Sequence, residues 1–294
     1  MRVAILGCGY VGVELGRQLR EAGHEPIGVR RSPDGVGAIE SAGFRGVRAD
    51  VTDPSDLDAV PDVDALVFAA SSGGRGADAA RGIYLGGLRT AIEAFGARES
   101  PPERLLYTSS TGVYGDHGGD WVDEATALDP GTEKTRVLAE AERVALEEAP
   151  EAGITGTVAR FAGLYGPDRY RLERYIEGPV TEGYLNMVHR ADAAGAVRFL
   201  LDRNLARGEV VLVVDDEPVD KHAFADWIAA EMGRDSPPQQ STAERLDGAD
   251  LSATARDRIR AQKRCSNDKL RELCYEFAYP TFREGYRAAI EAAV

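Results

Sequence analysis

Hydrophobic and polar positions change period repeatedly along the first part of the chain. Arg2–Leu6 is a short apolar run containing Val and Ile, which predicts a buried strand. Behind a glycine-rich turn, Val11, Val13, Leu15 and Leu19 recur at helical spacing until Gly23 closes the segment. A second apolar run at 26–29, a short helix at 36–42 and a third strand at 44–47 follow. The stretch 64–69 predicts a fourth strand, 79–95 a helix and 105–107 a fifth strand. Residues 132–149 are charged and periodic, hence a helix with one exposed face, and 154–159 read as a sixth strand. Strands alternating with helices predict an α/β fold of the Rossmann type, a doubly wound parallel sheet covered on both faces. Beyond it the pattern loosens: a strand at 209–214, a helix at 221–232, a polar loop at 235–242, and helices after Asp250 and Pro280. No fixed-period repeat is visible. The organisation expected is a dinucleotide-binding core over 1–165 and a smaller substrate lobe over 166–294, whose strand near 209–214 returns to the core.

Composition narrows the class. The chain has 294 residues, 43% hydrophobic and 29% charged, with no Gly/Ser-rich or Pro-rich tract, so long disorder is not expected. No apolar run approaches the ~20 residues of a membrane helix, and the first residues run straight into a strand. A soluble, cytoplasmic protein is expected, with no membrane association. A net charge of −14 argues against nucleic acid, because phosphate recognition needs clustered Lys and Arg. Only Lys134, Lys221, Lys263 and Lys269 are lysines, and abundant Asp and Glu with little Lys suits a high-salt environment. Cys8, Cys265 and Cys274 fit no zinc spacing and no disulfide framework, so all three are expected as reduced, buried thiols. His24, His189 and His222 likewise show no metal-ligand spacing, and no metal is expected.

Candidate chemistry begins at Gly7-Cys8-Gly9-Tyr10-Val11-Gly12, a G-x-G-x-x-G string between a predicted strand and a predicted helix. Gly7 would allow the tight turn, Gly9 close approach of backbone to a pyrophosphate, and Gly12 close packing of helix on sheet. The helix start at Tyr10 and Val11 would offer N–H groups and the positive end of the dipole to phosphates. At the end of the second strand a carboxylate usually receives a ribose 2′-hydroxyl, whereas arginine accommodates a 2′-phosphate. Here stand Arg30, Arg31 and Ser32, which favour NADP over NAD. Asp50, followed by Val51, could reach the adenine amino group. Ala69, Ala70 and Ser71 end the fourth strand with small residues that let the dinucleotide pass.

These elements, with the strings Tyr107-Thr108-Ser109-Ser110-Thr111-Gly112-Val113-Tyr114-Gly115, Arg160 to Pro167 and Asn186 to Asp192, resemble an extended short-chain dehydrogenase/reductase. More narrowly the chain resembles the NAD(P)-dependent epimerase/dehydratase superfamily and its atypical YeeZ-like branch, whose tail is similar to the segment from Tyr275 to Tyr286. The resemblance implies that Ser110 hydrogen-bonds the reacting oxygen. It also implies a Tyr-x-x-x-Lys pair on the next helix with a Glu four residues later. Taking Glu140 as that Glu places Thr132 at the tyrosine position and Arg136 at the lysine position.

That departure matters chemically. A tyrosine of pKa ~10 serves as a base only when a nearby cation lowers it, and Thr132 does not ionise near neutrality. Arg136 stays charged and could hold the nicotinamide ribose, but is no base. Lys134, two residues from Thr132, is expected on another helical face. Tyr114, Tyr165 and His117 are candidate replacements, against bland readings as packing or loop residues. Asp192 is expected to cap a helix. The expected function is an NADP-binding oxidoreductase or epimerase/dehydratase-like enzyme on a small polar substrate, such as a nucleotide sugar, working as a monomer or homodimer. The rival is a catalytically silent NADP-binding sensor.

The acidic, lysine-poor composition makes one prediction. If it is a high-salt adaptation, screening should relieve self-repulsion and the melting temperature should rise steeply from dilute buffer to molar KCl. A flat response in a thermal melt would refute that reading.

Overall fold

The computed structural model describes residues 1–73, 76–248 and 250–293. Its centre is a seven-stranded sheet. Five of the strands are β1 (Arg2–Leu6), β2 (Glu25–Arg30), β3 (Arg45–Arg48), β4 (Ala65–Phe68) and β5 (Arg104–Ser110). Thr155–Phe161 and Val210–Val213 complete it, in the order Val210–Val213, Thr155–Phe161, β5, β4, β1, β2, β3. The register is parallel through β3-β2-β1-β4-β5, with Leu6 opposite both Val29 and Phe68. This is a Rossmann-type sheet: the chain leaves β1 at its centre, steps outward to β3, then reverses to β4. Residues Val3 to Leu6, Leu66 and Phe68, and Leu105 to Tyr107 are fully enclosed, as strands covered on both faces must be.

The helices follow the predicted pattern with shifts that have identifiable causes. In α1 (Tyr10–Glu21) the buried face is Val11, Gly12, Leu15, Gly16 and Leu19, while Val13 turns partly outward. The helix expected at 36–42 begins earlier, as α2 (Pro33–Ser41), because Pro33 opens it and Ser32 Oγ accepts the Gly35 N–H at 3.2 Å. A single turn, α3 (Pro54–Leu57), is capped by Asp53. The helix expected at 79–95 is divided into α4 (Gly76–Arg81), a wider π-turn at Gly82–Gly87, and α5 (Leu88–Gly96). Three glycines in that π-turn weaken ordinary helical winding. The helix expected at 132–149 runs regularly only as α6 (Glu133–Arg143), then widens over Val144–Glu148 and tightens over Ala149–Ala152. Pro150 lacks the N–H that an α-helix would require and crowds the carbonyl of residue 146.

The chain divides into two compact units of interleaved segments. The first comprises Met1–Ser110, Glu133–Arg160 and Ala193–Val211, hence β1 to β5 and α1 to α6. Inside it a buried polar knot ties three elements. Arg160 Nη2 donates to Glu142 Oε2 at 2.7 Å, Arg160 Nε reaches both carboxylate oxygens, and Ser109 Oγ donates to Glu142 Oε1 at 2.6 Å. The second unit comprises Thr111–Thr132, Phe161–Asp192 and the residues from Leu212 onward. It is organised on Tyr165, Met187, Phe224, Ile228, Phe282 and Tyr286, with Tyr165 and Tyr286 stacked at 4.8 Å. There Asp192 does not cap its own helix. Its carboxylate accepts the N–H groups of Ala278 and Tyr279, each at 2.8 Å, and the Tyr275 hydroxyl at 3.1 Å. Cys8 and Cys265 are buried as expected, whereas Cys274 is exposed. No helix among the described residues is long and apolar enough to cross a membrane.

A buried ion pair stripped of one partner costs about 3–5 kcal/mol. Glu142→Ala should therefore lower the urea midpoint strongly, and Glu142→Leu with Arg160→Met should recover much of the loss. A Glu142→Ala protein as resistant to urea as the parent would contradict this assignment.

Candidate functional site

The carboxyl ends of β1 and β4 meet where the glycine loop turns. Ala69 N–H donates to Leu6 O at 2.8 Å, which brings the residue after β4 alongside the end of β1. Gly7 then takes φ +83°, and a Cβ on it would overlap the Ala70 backbone. Only glycine meets both demands. The turn is closed by Gly7 and Cys8 N–H groups, which both donate to Val29 O, at 3.1 and 3.0 Å.

Above Gly9 the space is open except for one group. A Cβ there would lie 2.8 Å from Arg30 Nη1 and otherwise meet only Gly7 O at 3.7 Å. Arg30 Nη1 also donates to Cys8 O at 3.4 Å, so its guanidinium lies across the loop. Helix α1 has no side-chain cap at Gly9 and no acidic residue in its first turn. An uncapped helix start, an open backbone cradle and an arginine across it suit an anion, and the pyrophosphate of a dinucleotide fits this chemistry. Gly12 faces Ile5 and the Cys8 side chain, the close helix–sheet packing its position predicts. Burial pushes the Cys8 thiol up to about 12 despite the opposing pull of Arg30, so this sulfur has no thiolate chemistry near neutrality.

Next to the loop, Arg31 Nη1 reaches Asp50 Oδ2 at 3.3 Å across the ends of β2 and β3. Burial opposes ionisation of Asp50. Hydrogen bonds from Thr52 and the Arg31 guanidinium outweigh it and hold the carboxyl below its usual range. Ser32 is engaged as the cap of α2, a role its Ser-Pro-Asp context signals. Val51 is buried against Gly87. Ala69 and Ala70 are half-buried and Ser71 is exposed. Tyr10, half-buried, and Val11, buried, begin α1. The sequence-predicted cofactor residues all belong to the first unit; apart from Arg136, which stands in the first turn of α6, they lie along the carboxyl ends of β1, β2 and β4 and just past the end of β3.

The catalytic candidates are more dispersed. Ser110 is the last residue of β5 and half-buried. Ser109 points inward to Glu142, so the strand's alternation sends Ser110 to the opposite face. Thr132 immediately precedes α6, one residue outside the helix. Arg136, exposed within the first turn of α6, pairs with Glu133 at 3.4 Å. Glu140, which set the register, pairs with Arg81 of α4 at 3.2 Å. In the second unit Tyr114 is wholly buried and donates to Asp123 O at 2.6 Å. His117 packs edge-on to it, its Nε2 buried without a hydrogen-bond partner among the described residues. Burial, with Asp215 nearby, drives the Tyr165 phenol far above its usual value. His189 is held neutral, down to about 4, by burial and by Arg190. No group of three or more His, Cys, Asp or Glu among the described residues is arranged to hold a metal.

One feature of the first unit lies outside the predicted set. Tyr84, in the Gly82–Gly87 turn, is buried, and Ser72 N–H donates to its Oη at 3.5 Å. Lys134 Nζ stands 6.0 Å from its ring centroid. Its signal in the sequence is only a tyrosine in the glycine-flanked stretch Gly82-Ile83-Tyr84-Leu85-Gly86.

Comparison with known proteins gives consistent matches. The family model described as the NAD dependent epimerase/dehydratase family matches residues 3–213. The protein YeeZ of Escherichia coli K12 is 36% identical over 210 residues, 68% of this chain and 73% of that one. A solved protein of unknown function from Silicibacter pomeroyi DSS is 30% identical with a TM-score of 0.78, covering 99% of both chains. A candidate NAD-dependent epimerase/dehydratase from Methylobacillus flagellatus is 29% identical with a TM-score of 0.77, covering 99% of this chain and 98% of the other.

Proposed function

The chain belongs to the NAD-dependent epimerase/dehydratase family, and from that premise we propose that it is an NADP-binding oxidoreductase or epimerase/dehydratase-like enzyme acting on a small polar substrate. The observation that carries the reading is the cradle at Gly7 to Gly12, with the Arg30 guanidinium laid across it and open space over Gly9. The open backbone at Gly9 and the N–H groups of Tyr10 and Val11 would face the pyrophosphate, while Gly12 keeps the helix close to the sheet. Arg31 and Ser32, at the edge of the same surface, suit a 2′-phosphate. Arg31 is more than half exposed and its pair with Asp50 is a surface pair, so redirecting it to a ligand costs little. Asp50 and Val51 would line the adenine end, and Ala69, Ala70 and Ser71 the passage toward the nicotinamide.

When bound, the nicotinamide supplies or accepts the hydride. Ser110, at the carboxyl end of β5, would donate a hydrogen bond to the substrate oxygen and polarise the bond to be reduced. Arg136 would anchor the ribose by charge-assisted hydrogen bonds, held from behind by Glu133. Carbonyl reduction is the direction that asks least of these residues, because it needs an acid rather than a strong base. A nucleotide sugar is the substrate class that the resemblance in sequence implies. A second reading, binding of NADP without turnover, is favoured by Thr132, whose hydroxyl does not ionise near neutrality.

Calorimetric titration with NADP⁺ and NAD⁺ tests cofactor choice. NADP⁺ is expected to bind more tightly, and Arg31→Ala should weaken it far more than NAD⁺, at about 1.5–3 kcal/mol per charged hydrogen bond lost, whereas Arg30→Ala, at the pyrophosphate cradle, should weaken both. Equal affinities, or tighter binding of NAD⁺, would overturn the NADP assignment.

A further inference from the structure

Around Tyr84 the first unit brings together three elements that the linear sequence keeps apart. Ser71 and Ser72 follow β4, whose end closes on the glycine loop through Ala70. Tyr84 comes from the π-turn Gly82–Gly87, and Lys134 from the first turn of α6. Helix α6 packs against both α4 and that π-turn, and Arg81 ties α4 to it through Glu133 and Glu140, at 3.3 and 3.2 Å. The ring of Tyr84 is packed away while its oxygen ends at Ser71 and Ser72, and Ser71 is exposed. The lysine that helical spacing turns away from Arg136 is the one beside a tyrosine from another helix.

We propose that Tyr84 is the proton donor of this site and Lys134 its cationic partner, a phenol–ammonium pair built from two helices where one helix would ordinarily supply both. The proposal rests on the reading above, that the first unit binds a nicotinamide dinucleotide and reduces a carbonyl. The environment of this phenol differs from that of its counterparts. Burial opposes ionisation of Tyr84, but hydrogen bonding by Ser71 and Ser72 and the charge of Lys134 outweigh it and bring the phenol below its usual value. Burial instead pushes Tyr107, Tyr165, Tyr170 and Tyr175 up. An acid whose pKa moves toward the working pH transfers its proton more readily.

The step balances with these groups. As a hydride from the reduced nicotinamide joins the carbonyl carbon, the C=O π pair moves onto oxygen and takes the proton held at Tyr84 Oη. The O–H bonding pair stays on Tyr84 as a phenolate, which the Lys134 charge stabilises until water returns a proton. Ser71 and Ser72 keep the phenol oxygen fixed at the end of β4 through this cycle.

Near-ultraviolet titration of tyrosinate in the full-length protein, with and without saturating NADP⁺, tests the pair without requiring turnover. The earliest tyrosine ionisation is expected to vanish in Tyr84→Phe, to move to higher pH in Lys134→Met, to return in Lys134→Arg, and to shift when NADP⁺ binds the parent protein. With NADPH and a panel of aldehydes and ketones, Tyr84→Phe should lower kcat about 10²–10⁴-fold with NADP⁺ affinity unchanged. An early ionisation that persists in Tyr84→Phe, or is indifferent to bound NADP⁺, overturns the proposal, as does reduction at the parental rate by Tyr84→Phe. Absence of NADP⁺ binding to the parent protein brings down the nucleotide reading and this one together. Binding with a Tyr84-independent rate brings down this one alone.

Discussion

Where β1 ends, the backbone must turn within one residue while the end of β4 presses against it. Gly7 at φ +83° against Ala70 is the solution, and no side chain could take its place without moving one strand or the other. This steric condition fixes where α1 begins and aims its uncapped start along the carboxyl edge of the sheet. It also sets the height at which Arg30 crosses the loop. The open backbone over Gly9, where the proposed dinucleotide would place its phosphates, is therefore a consequence of strand packing rather than of a flexible loop. Preorganisation of this kind spares a ligand the cost of ordering its own site.

The same edge collects the remaining chemistry because a parallel sheet sends every carboxyl end to one side. Arg31 and Asp50 meet there at the ends of β2 and β3, and Ser110 arrives there at the end of β5. Beneath it the buried contacts among Ser109, Glu142 and Arg160 lock β5 to α6 and to the strand Thr155–Phe161. Ser109 is engaged in that lock, and Ser110, one residue on, is turned to the opposite face. Structure and candidate chemistry are thus assigned by strand alternation to adjacent serines.

Most of the central sheet was legible in the sequence because its strands are short apolar runs, each followed by turn residues. The glycine loop was legible because its three glycines have separate mechanical reasons, two of which the packing displays at Gly7 and Gly12. Helix boundaries were less so. Ser32 and Pro33 announce an earlier start to α2 than hydrophobic spacing does, and the helix expected to run to residue 149 is regular only to Arg143, because Pro150 perturbs the turn before it. The buried knot at Glu142 gave no signal, since a glutamate on a charged helix reads as exposed until its partners on β5 and at Arg160 are known. Tyr84 and Lys134 were equally hidden. Their pairing depends on how α6 lies against the π-turn Gly82–Gly87, which local periodicity does not encode. Asp192 shows the converse, a first-turn acid that reads as a helix cap but serves the backbone of Ala278 and Tyr279.

Amide hydrogen exchange with and without saturating NADP⁺ tests the central claim most directly. Slowed exchange concentrated in residues 8–13 and 30–32, at the carboxyl ends of β1 and β2, is the predicted result. The opposite edge of the same unit carries a groove of about 840 Å³ bordered by Met1, Arg2, Glu25, Asp62, Asp64 and Asp202. Protection confined to that groove, with residues 8–13 exchanging as before, would contradict the account.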